Sequence, residues 1–250
     1  VTAGIRYIEE EKDSYFKQPY VNPAVLGLWI PASVGQIEAS QKHDDTVGEL
    51  TIRHELRDDV SIYAAYKQGW KSGGFSNSGI LAVLSNKVSD FTFEPEEVDG
   101  FEFGVKALLA DGTLSLEAEV FSYEFEGLQV DFFNSVLWSN VTYNAGSAKT
   151  EGAEINLVYA PSAMDGLTLH GSLLFLDSGY EDFIAPCIAG QTPANGCNIA
   201  PNDVVAVPQQ QLGGEDRLLA PDMSGYLGVE YEADLGQNLV FGTTINLQFK

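Results

Sequence analysis

Apolar and polar residues alternate at every second position in several segments of the chain, and this period of two restricts the fold more than any other feature. In the segment 98–108, Phe101 and Phe103 fall on one face of an extended chain, and Glu102 and Lys106 fall on the other. The same alternation occurs in three further segments, 113–125, 151–159 and 238–250. A period of two with one apolar face predicts β-strands that have one dry and one wet side.

The connections between these strands are of two kinds that take turns along the chain. Four are short and rich in Asp and Gly, residues that favour tight turns, namely 57–59, 109–112, 161–166 and 233–237. Four are long, namely 9–46, 70–97, 126–142 and 178–221. Loops longer than about 15 residues are unusual in compact soluble domains. A regular alternation of short turns and long loops is typical of a transmembrane β-barrel, whose turns face the periplasm and whose loops face outside.

Acidic residues dominate the charge of the chain, with 36 Asp and Glu against 13 Lys and Arg and a formal net charge of -23. This balance argues against a nucleic-acid partner, because phosphate binding requires clustered cations. Disordered acidic chains are poor in aromatic residues, whereas this chain is 11% aromatic and 44% hydrophobic. Because no run of about 18 apolar residues occurs, no transmembrane helix is predicted. A membrane barrel is still compatible with the sequence, since its strands place apolar residues at alternate positions.

Two features favour a membrane barrel over a soluble β-sandwich. The polar faces carry both glutamates and cations on consecutive strands, as a wet lumen would. The strands also run to about ten residues, the length that crosses a bilayer at a tilt, whereas soluble strands have about five or six. We therefore expect an all-β fold, an antiparallel segment of about nine strands from a transmembrane β-barrel, with the apolar faces outward. A common dry core holding Phe103 and Leu116 would instead identify a secreted sandwich or adhesin.

Several ordered motifs resemble one family of outer-membrane proteins. Residues 63–75 read YAAYKQGWKSGGF, residues 93–106 read FEPEEVDGFEFGVK, residues 121–130 read FSYEFEGLQV and residues 144–149 read NAGSAK. In this order, and across nearly the whole chain, they resemble the barrel motifs of TonB-dependent receptors. The matching residues to which the resemblance gives structural roles are Gly69, Lys71, Gly73, Gly74, Glu102, Gly104, Lys106, Asn144, Gly146, Gly152 and Glu154.

Some of these residues have a physical reason in the predicted strands. Gly69, Gly73 and Gly74 are expected to adopt a sharp, positive-φ backbone where a strand meets an outer loop. Glu102 and Lys106 fall on the lumen face, where a charged group needs water or a partner.

The resemblance also implies a larger protein and a function. Residues 1–250 are expected to be part of the C-terminal half of a barrel of about 22 strands, with the plug domain and closing strands outside this sequence. The family imports scarce nutrients across the bacterial outer membrane, and we expect an iron–siderophore complex as the ligand. The implied partners are the TonB complex through the plug domain, outer-membrane lipid and lipopolysaccharide, and a small nutrient such as a ferric siderophore. A passive porin, or a TonB-dependent importer of cobalamin, haem or oligosaccharide, is the alternative.

The long loops hold the residues that we expect to bind the ligand. They are the aromatic residues Trp29, Trp70, Phe75, Phe132, Phe133 and Trp138. Aromatic rings give a large contact area at a modest entropy cost, which suits a bulky chelate. For any one of them, a place in the aromatic girdle at the membrane interface is the alternative.

Two cysteines, Cys187 and Cys197, lie in one Pro-, Gly- and Asn-rich segment. Two cysteines do not build a zinc site alone, and their spacing is not that of a CxxC redox motif. We expect a short local disulfide, which implies an oxidising compartment; two unpaired loop thiols are the alternative.

Motifs for catalysis or metal binding are missing from the sequence. His43, His54 and His170 are scattered, without the spacing of a metal site. No nucleophile elbow, phosphate-binding loop or dinucleotide fingerprint occurs. The carboxylates Glu94, Glu96 and Glu97 are expected to be solvated at the start of a strand, because nothing apolar nearby would raise a pKa. The sequence therefore predicts neither an enzyme nor a bound cofactor or metal.

Overall fold

The computed structural model describes residues 1–17, 36–76, 92–134, 139–144, 146–201 and 207–250. In chain order the strands are β1 (Thr2–Lys17), β2 (Gln36–Arg57), β3 (Val60–Lys71), β4 (Gly74–Phe75), β5 (Thr92–Phe93), β6 (Glu96–Leu109), β7 (Leu114–Glu126), β8 (Gln129–Asn134), β9 (Ser139–Asn144), β10 (Ser147–Tyr159), β11 (Leu167–Asp182), β12 (Ile184–Pro186), β13 (Gln209–Gln211), β14 (Met223–Gly236) and β15 (Leu239–Phe249). A single 3₁₀ turn, Pro193–Asn195, is the only helical element among the described residues.

Nine of these strands form one antiparallel sheet, in the order β1-β2-β3-β6-β7-β10-β11-β14-β15. Each strand pairs with its neighbours in the sequence once the small hairpins β4–β5, β8–β9 and β12–β13 are set aside. The predicted nine-stranded antiparallel topology is therefore confirmed. In the described part of the chain, no helix has the length and apolar character needed to span a membrane.

The two faces of the sheet differ as the alternation predicts. On the apolar face, the side chains of Phe101 and Phe103 are 65% and 55% exposed. Phe103 pairs in register with Val120, which is also exposed, so no second sheet covers this face of the strands. The common dry core of a soluble sandwich is absent from this part of the described sheet, and the sandwich alternative is wrong.

The short turns lie where the sequence predicts them. Ala110, Asp111 and Gly112 all have positive φ, between 52° and 86°, and connect β6 to β7. Gly166, the residue before β11, has φ 79°, and a Cβ at this position would lie 1.8 Å from the carbonyl oxygen of Glu232. Only glycine fits this turn, because it combines a left-handed backbone with a close backbone approach.

The strands extend much further than predicted, and this corrects the expected loop bounds. The segment 9–46 was expected to be one long connection, but β1 continues to Lys17 and β2 begins at Gln36. In this extension Glu11 pairs with Lys42 and Glu10 pairs with His43. Both faces of the hairpin are polar here, so no apolar stripe marks the strands. The other three long connections likewise contain the hairpins β4–β5, β8–β9 and β12–β13.

A small apolar core lies at the end of the sheet opposite the short turns, which we call the outer end. Phe183 is 1% exposed and packs with other buried residues at the junction of β7, β10 and β11. They are Leu128, Ala148, Tyr180 and Ala185, with Phe125, Val130 and Leu212 partly buried against them. Full burial of a side chain of this size stabilises a fold by roughly 1.5–3 kcal/mol. The core therefore anchors the segment around β12 and β13 to the barrel wall.

Candidate functional site

Charged side chains on the polar face are paired across neighbouring strands. The Lys67 ammonium group lies 2.7 Å from both carboxylate oxygens of Glu102, and the Tyr123 hydroxyl donates to the same carboxylate. Closer to the short turns, Lys106 Nζ lies 3.1 Å from Glu117 Oε2. The predicted partners of Glu102 and Lys106 are therefore present in the wall itself.

Glycines on the polar face make room for aromatic rings that lean along the sheet. A Cβ at Gly104 would lie 2.5 Å from Cε1 of Tyr63, and one at Gly152 would lie 2.6 Å from Cζ of Phe121. Contacts under 3.0 Å force atoms apart, so a larger residue at either position would displace the ring. The leaning ring fills the space that the missing side chain leaves open. Gly104 and Gly152 thus have a packing role in the wall.

Three motif glycines near the outer end are required because there is no room for a side chain, and not because of their backbone φ. Gly69, Gly73 and Gly74 do not have positive φ, so the expected positive-φ backbone is wrong. A Cβ at these positions would lie 2.9 Å from Val98 Cγ1, 2.5 Å from the Phe93 carbonyl oxygen and 2.8 Å from the Phe93 ring, respectively. Small residues are required because another strand approaches closely, and this depends on contacts between segments distant in the sequence.

Asn144 joins several segments at the outer end of the wall. Its Nδ2 donates to the carbonyl oxygens of Gly127 at 2.7 Å and Glu94 at 2.9 Å, and its Oδ1 accepts from the Glu94 N–H at 2.8 Å. The neighbouring Gly127 N–H donates to the Gly146 carbonyl oxygen at 3.0 Å. The motif residues Asn144 and Gly146 therefore hold together the outer ends of strands β6, β7 and β10.

Replacing Asn144 by aspartate is expected to loosen this junction, because both donations from Nδ2 are lost. The Gly127 bond is partly buried and the Glu94 bond is exposed, so we expect their loss to cost about 1–3 kcal/mol in all. The matched control is Asn246→Asp, since the Asn246 oxygen accepts from the Tyr226 hydroxyl and a carboxylate keeps that bond. The thermal midpoint of the purified protein in detergent should fall for Asn144→Asp and stay near the wild-type value for Asn246→Asp. Equal midpoints for the two variants would contradict the assigned role.

The remaining motif residues are paired in the wall. Lys71 Nζ lies 3.3 Å from Glu96 Oε2, and Glu96 also accepts from the backbone N–H of Gln129 at 2.8 Å. Glu154 accepts from Nδ2 of Asn156 at 2.6 Å on the polar face.

A cavity of about 470 Å³ opens at the outer end of the polar face. Its lining brings together three cations, two aromatic residues and one carboxylate from β1, β3 and β5. They are Arg6, Lys12, Lys71, Trp70, Phe93 and Glu10. Lys12 is fixed in place because its Nζ donates to the Gly73 carbonyl oxygen at 2.8 Å and lies 3.4 Å from Glu10 Oε1. This recess lies at the end of the wall that carries the long loops.

Of the predicted ligand residues whose side chains the structure describes, only Trp70 borders this cavity, and its position opposite Glu97 in the register places its ring on the outward face. Phe75 lies in β4 and pairs with Thr92, outside the lining. The backbone of Phe132 and Phe133 belongs to the β8–β9 hairpin, but their side chains are outside the described part of the structure. Trp29 and Trp138 lie outside the described residues altogether. Sequence reasoning missed Arg6, Lys12 and Phe93. The alternation of β1 carried a signal for the two cations, because positions 6 and 12 share one face of an extended chain.

Acidic residues form a belt on the outward face, between the outer end of the strands and the apolar residues such as Phe101 and Phe103. Opposed pairs of like charge occur between strands, for example Glu97 with Glu126 and Asp99 with Glu124. Further members of the belt are Glu9, Glu11, Asp44, Glu151 and Asp177. At the outer end of β2, Lys42 Nζ lies 3.1 Å from Glu9 Oε2, and this hydrogen bond and charge raise the pKa of Lys42. Much of the net negative charge therefore faces away from the cavity.

The two cysteines are joined in the segment that follows β12. The Cα atoms of Cys187 and Cys197 are 5.6 Å apart, and the sulfur atoms form a disulfide. Inside the loop, Gln191 Nε2 donates to Oε1 of Gln210 at 2.6 Å, which ties the loop to β13. Among the described residues, no cluster of three or more His, Cys, Asp or Glu is arranged to hold a metal ion.

The disulfide is expected to be present in the protein as it is isolated from cells. Mass spectrometry of a non-reduced digest should recover the peptides of Cys187 and Cys197 as one linked species that separates on reduction. A double Cys→Ser variant should be cleaved faster by protease between positions 187 and 197, because the unfolded loop is no longer constrained. Two free thiols in the isolated protein would contradict this prediction.

A nine-stranded antiparallel wall with one apolar face, one ion-paired polar face and short turns at one end defines a segment of an outer-membrane type of β-barrel. The family model described as "TonB dependent receptor-like, beta-barrel" matches residues 1–249, and the chain belongs to this family. Members of the family are receptors of the bacterial outer membrane. A search of curated proteins found no match.

Solved structures with the same fold include two receptors. The ferric yersiniabactin uptake receptor FyuA from Yersinia pestis has a TM-score of 0.65 at 16% identity, covering 98% of this chain and 30% of that receptor. The siderophore receptor PiuA from Acinetobacter baumannii has a TM-score of 0.63 at 19% identity, covering 97% of this chain and 30% of that receptor. At these identities the likeness shows the shared fold. The chain spans about 30% of the length of these receptors.

Proposed function

We propose that the receptor containing this chain imports an iron–siderophore complex across the bacterial outer membrane, energised through TonB. The observation that carries the proposal is the shared fold with receptors named for ferric siderophores, FyuA and PiuA among them. In this proposal, residues 1–250 form part of the C-terminal half of the barrel. The same proposal includes a plug domain that would contact the TonB complex.

The arrangement of the two faces supports a transporter in a membrane. Apolar side chains such as Phe101 and Phe103 would contact lipid, and the acidic belt would lie at the level of the lipopolysaccharide head groups. The paired charges of Lys67 and Glu102 suit a wet lumen, because both are hydrogen-bonded within the wall.

The residues of the cavity at the outer end favour an iron chelate over haem as the ligand. A haem pocket supplies an axial ligand such as histidine to the iron. Among the described histidines, His43, His54 and His170 lie outside the lining of this cavity. Cationic and aromatic side chains instead suit a ligand that carries its own donor atoms for the metal.

The test measures the uptake of labelled nutrients in cells with and without the gene. Ferric siderophores that carry radiolabelled iron, labelled cobalamin and labelled oligosaccharides are supplied separately, and each measurement is repeated in cells that lack TonB. We expect ferric siderophore uptake that needs both the gene and TonB. Uptake that persists without TonB would favour a passive porin, and TonB-dependent uptake of only a sugar or cobalamin would reject the iron assignment.

A further inference from the structure

A recess of about 530 Å³ lies on the outward face of the sheet and shares no lining residue with the cavity at the outer end. Its floor is Ala64 on β3, which pairs in register with Ile52 on β2 and with Phe103 on β6. Because alanine carries a single methyl group, the two larger neighbours stand above it and form the walls. The walls continue along Leu50, Phe101 and Val120. The recess is therefore an apolar groove that opens outward.

Polar groups are held at the outer end of this groove by hydrogen bonds. Tyr66, on the same face of β3 as the floor, has its ring 4.9 Å from that of Phe101. Its hydroxyl donates to Oδ2 of Asp99 at 3.2 Å. The hydroxyl of Ser122, opposite Phe101 in the register, donates to Oε1 of Glu151 at 2.9 Å. Apolar walls thus give way to polar groups within one or two positions of the strands, as they do between the acyl chains and the head groups of a membrane.

Negative charge dominates the outward face beyond the groove. Asp99 lies opposite Glu124 in the register, and a second pair of carboxylates lies at the next outward positions. Lys149 also lies opposite Glu124, but its Nζ is already 3.0 Å from Oε1 of Glu151. A lipid head group above the groove therefore meets an excess of carboxylates. Such a surface attracts an ammonium group and repels a head group whose only charge is a phosphate.

We propose that this groove binds an acyl chain of a lipid whose head group carries an ammonium, as phosphatidylethanolamine does. The chain lies over Ala64 between Ile52 and Phe103, and the ammonium contacts Asp99 and Glu124. The outward face of an outer-membrane barrel meets lipid, so acyl chains are the apolar partner available at this depth. An anionic lipid with the same chains gains the apolar contact but not the charge contact. This assignment goes beyond the import function and does not depend on which nutrient the receptor carries.

Native mass spectrometry of the purified full-length receptor in detergent tests the head group. Phosphatidylethanolamine and phosphatidylglycerol with identical acyl chains are titrated separately, and the dissociation constant of the first lipid retained is measured for each. We expect the wild type to bind phosphatidylethanolamine roughly fivefold more tightly, as exposed charge contacts allow. The Asp99→Asn/Glu124→Gln double variant should lose this preference. The matched control is Glu9→Gln/Asp44→Asn, which removes an opposed pair of the same belt on β1 and β2 and should keep the preference.

A second pair of variants tests the place of the acyl chain. Ala64→Phe fills the floor of the groove and should weaken the binding of both lipids about tenfold, since roughly two methylene groups lose their contact. The matched control is Ala118→Phe in β7, which lies on the same outward face opposite Val105 but outside the groove. This control should bind both lipids as the wild type does. The gel mobility of unheated protein shows that both variants are folded before binding is measured.

Four results would overturn the proposal in different ways. Equal affinity of the wild type for the two lipids would reject the head group, and this measurement needs no variant. Unchanged lipid binding in folded Ala64→Phe would reject the groove as the place of the chain. Tighter binding of lipopolysaccharide, titrated with calcium, would assign the groove to an anionic lipid bridged by cations. A receptor dimer that is lost in Ala64→Phe would show that a second copy of the chain, and not a lipid, occupies the groove.

Discussion

Replacing Gly104 by valine is expected to keep most of the full-length receptor from reaching its folded barrel form. A Cβ at position 104 would lie 2.5 Å from Cε1 of Tyr63 and 2.8 Å from its hydroxyl oxygen, so the ring must leave its place. The Tyr63 hydroxyl then no longer donates to the carboxylate of Glu119. Overpacking costs about 1–3 kcal/mol, and loss of a hydrogen bond to a charged group costs about 1.5–3 kcal/mol. The sum is a large share of a typical free energy of unfolding of about 5–15 kcal/mol.

The same substitution at another strand glycine supplies the control. A Cβ at Gly171 in β11, whose two neighbouring strands are both described, would meet only Leu227 Cδ2 at 3.6 Å, an ordinary contact, and valine favours a strand conformation. Gly171→Val should therefore fold like the wild type. The folded fraction is measured by the gel mobility of unheated barrel in sodium dodecyl sulfate and by urea unfolding in detergent. Similar folded fractions for the two variants would show that the leaning Tyr63 ring does not constrain position 104.

In plain buffer, residues 1–250 expressed alone are expected to aggregate almost completely, and detergent should keep them dispersed. The sheet is open at β1 and β15, so two strands present unpaired backbone groups. The apolar face adds a continuous exposed patch that includes Phe101, Phe103 and Phe241. Monomeric soluble proteins rarely expose apolar patches beyond a few hundred Å².

Size-exclusion chromatography with light scattering, in buffer with and without detergent, measures this behaviour. Lysine substitutions at Phe101 and Phe103 should reduce aggregation, because they place charge on the exposed apolar face. Glutamine substitution at Lys106, on the polar face, should not. A monodisperse wild-type chain that melts cooperatively in plain buffer would contradict the assignment of this face to lipid.

The sequence predicted those parts of the fold in which two faces of a strand meet different surroundings. The alternation around Phe103 and Glu102 placed both residues on the faces where the structure has them, and the short turns followed from their Asp and Gly content. The outer half of β1 and β2 was missed because both faces are polar there. A strand with two wet faces has no period of two to reveal it.

The site was predictable only in part, because it depends on register between strands. Trp70 stood out as an aromatic residue next to a long connection, but Lys12 lay inside a segment expected to be a loop. The motif glycine at position 73 was recognised for the wrong reason. Its contact with the carbonyl oxygen of Phe93 joins residues twenty positions apart in the sequence, which no local pattern records.

The length of β2 sets how far the protein stands above the bilayer. Its 22 residues extend for about 70 Å along the strand, or about 50 Å in height at a tilt of about 45°. The hydrocarbon layer accounts for only about 30 Å of this height. Much of the remainder crosses the head-group layers, since hydrocarbon and head groups together measure about 40–45 Å, and the rest forms a short collar above them. An arriving solute therefore meets the rim of this collar before it reaches the lipid head groups.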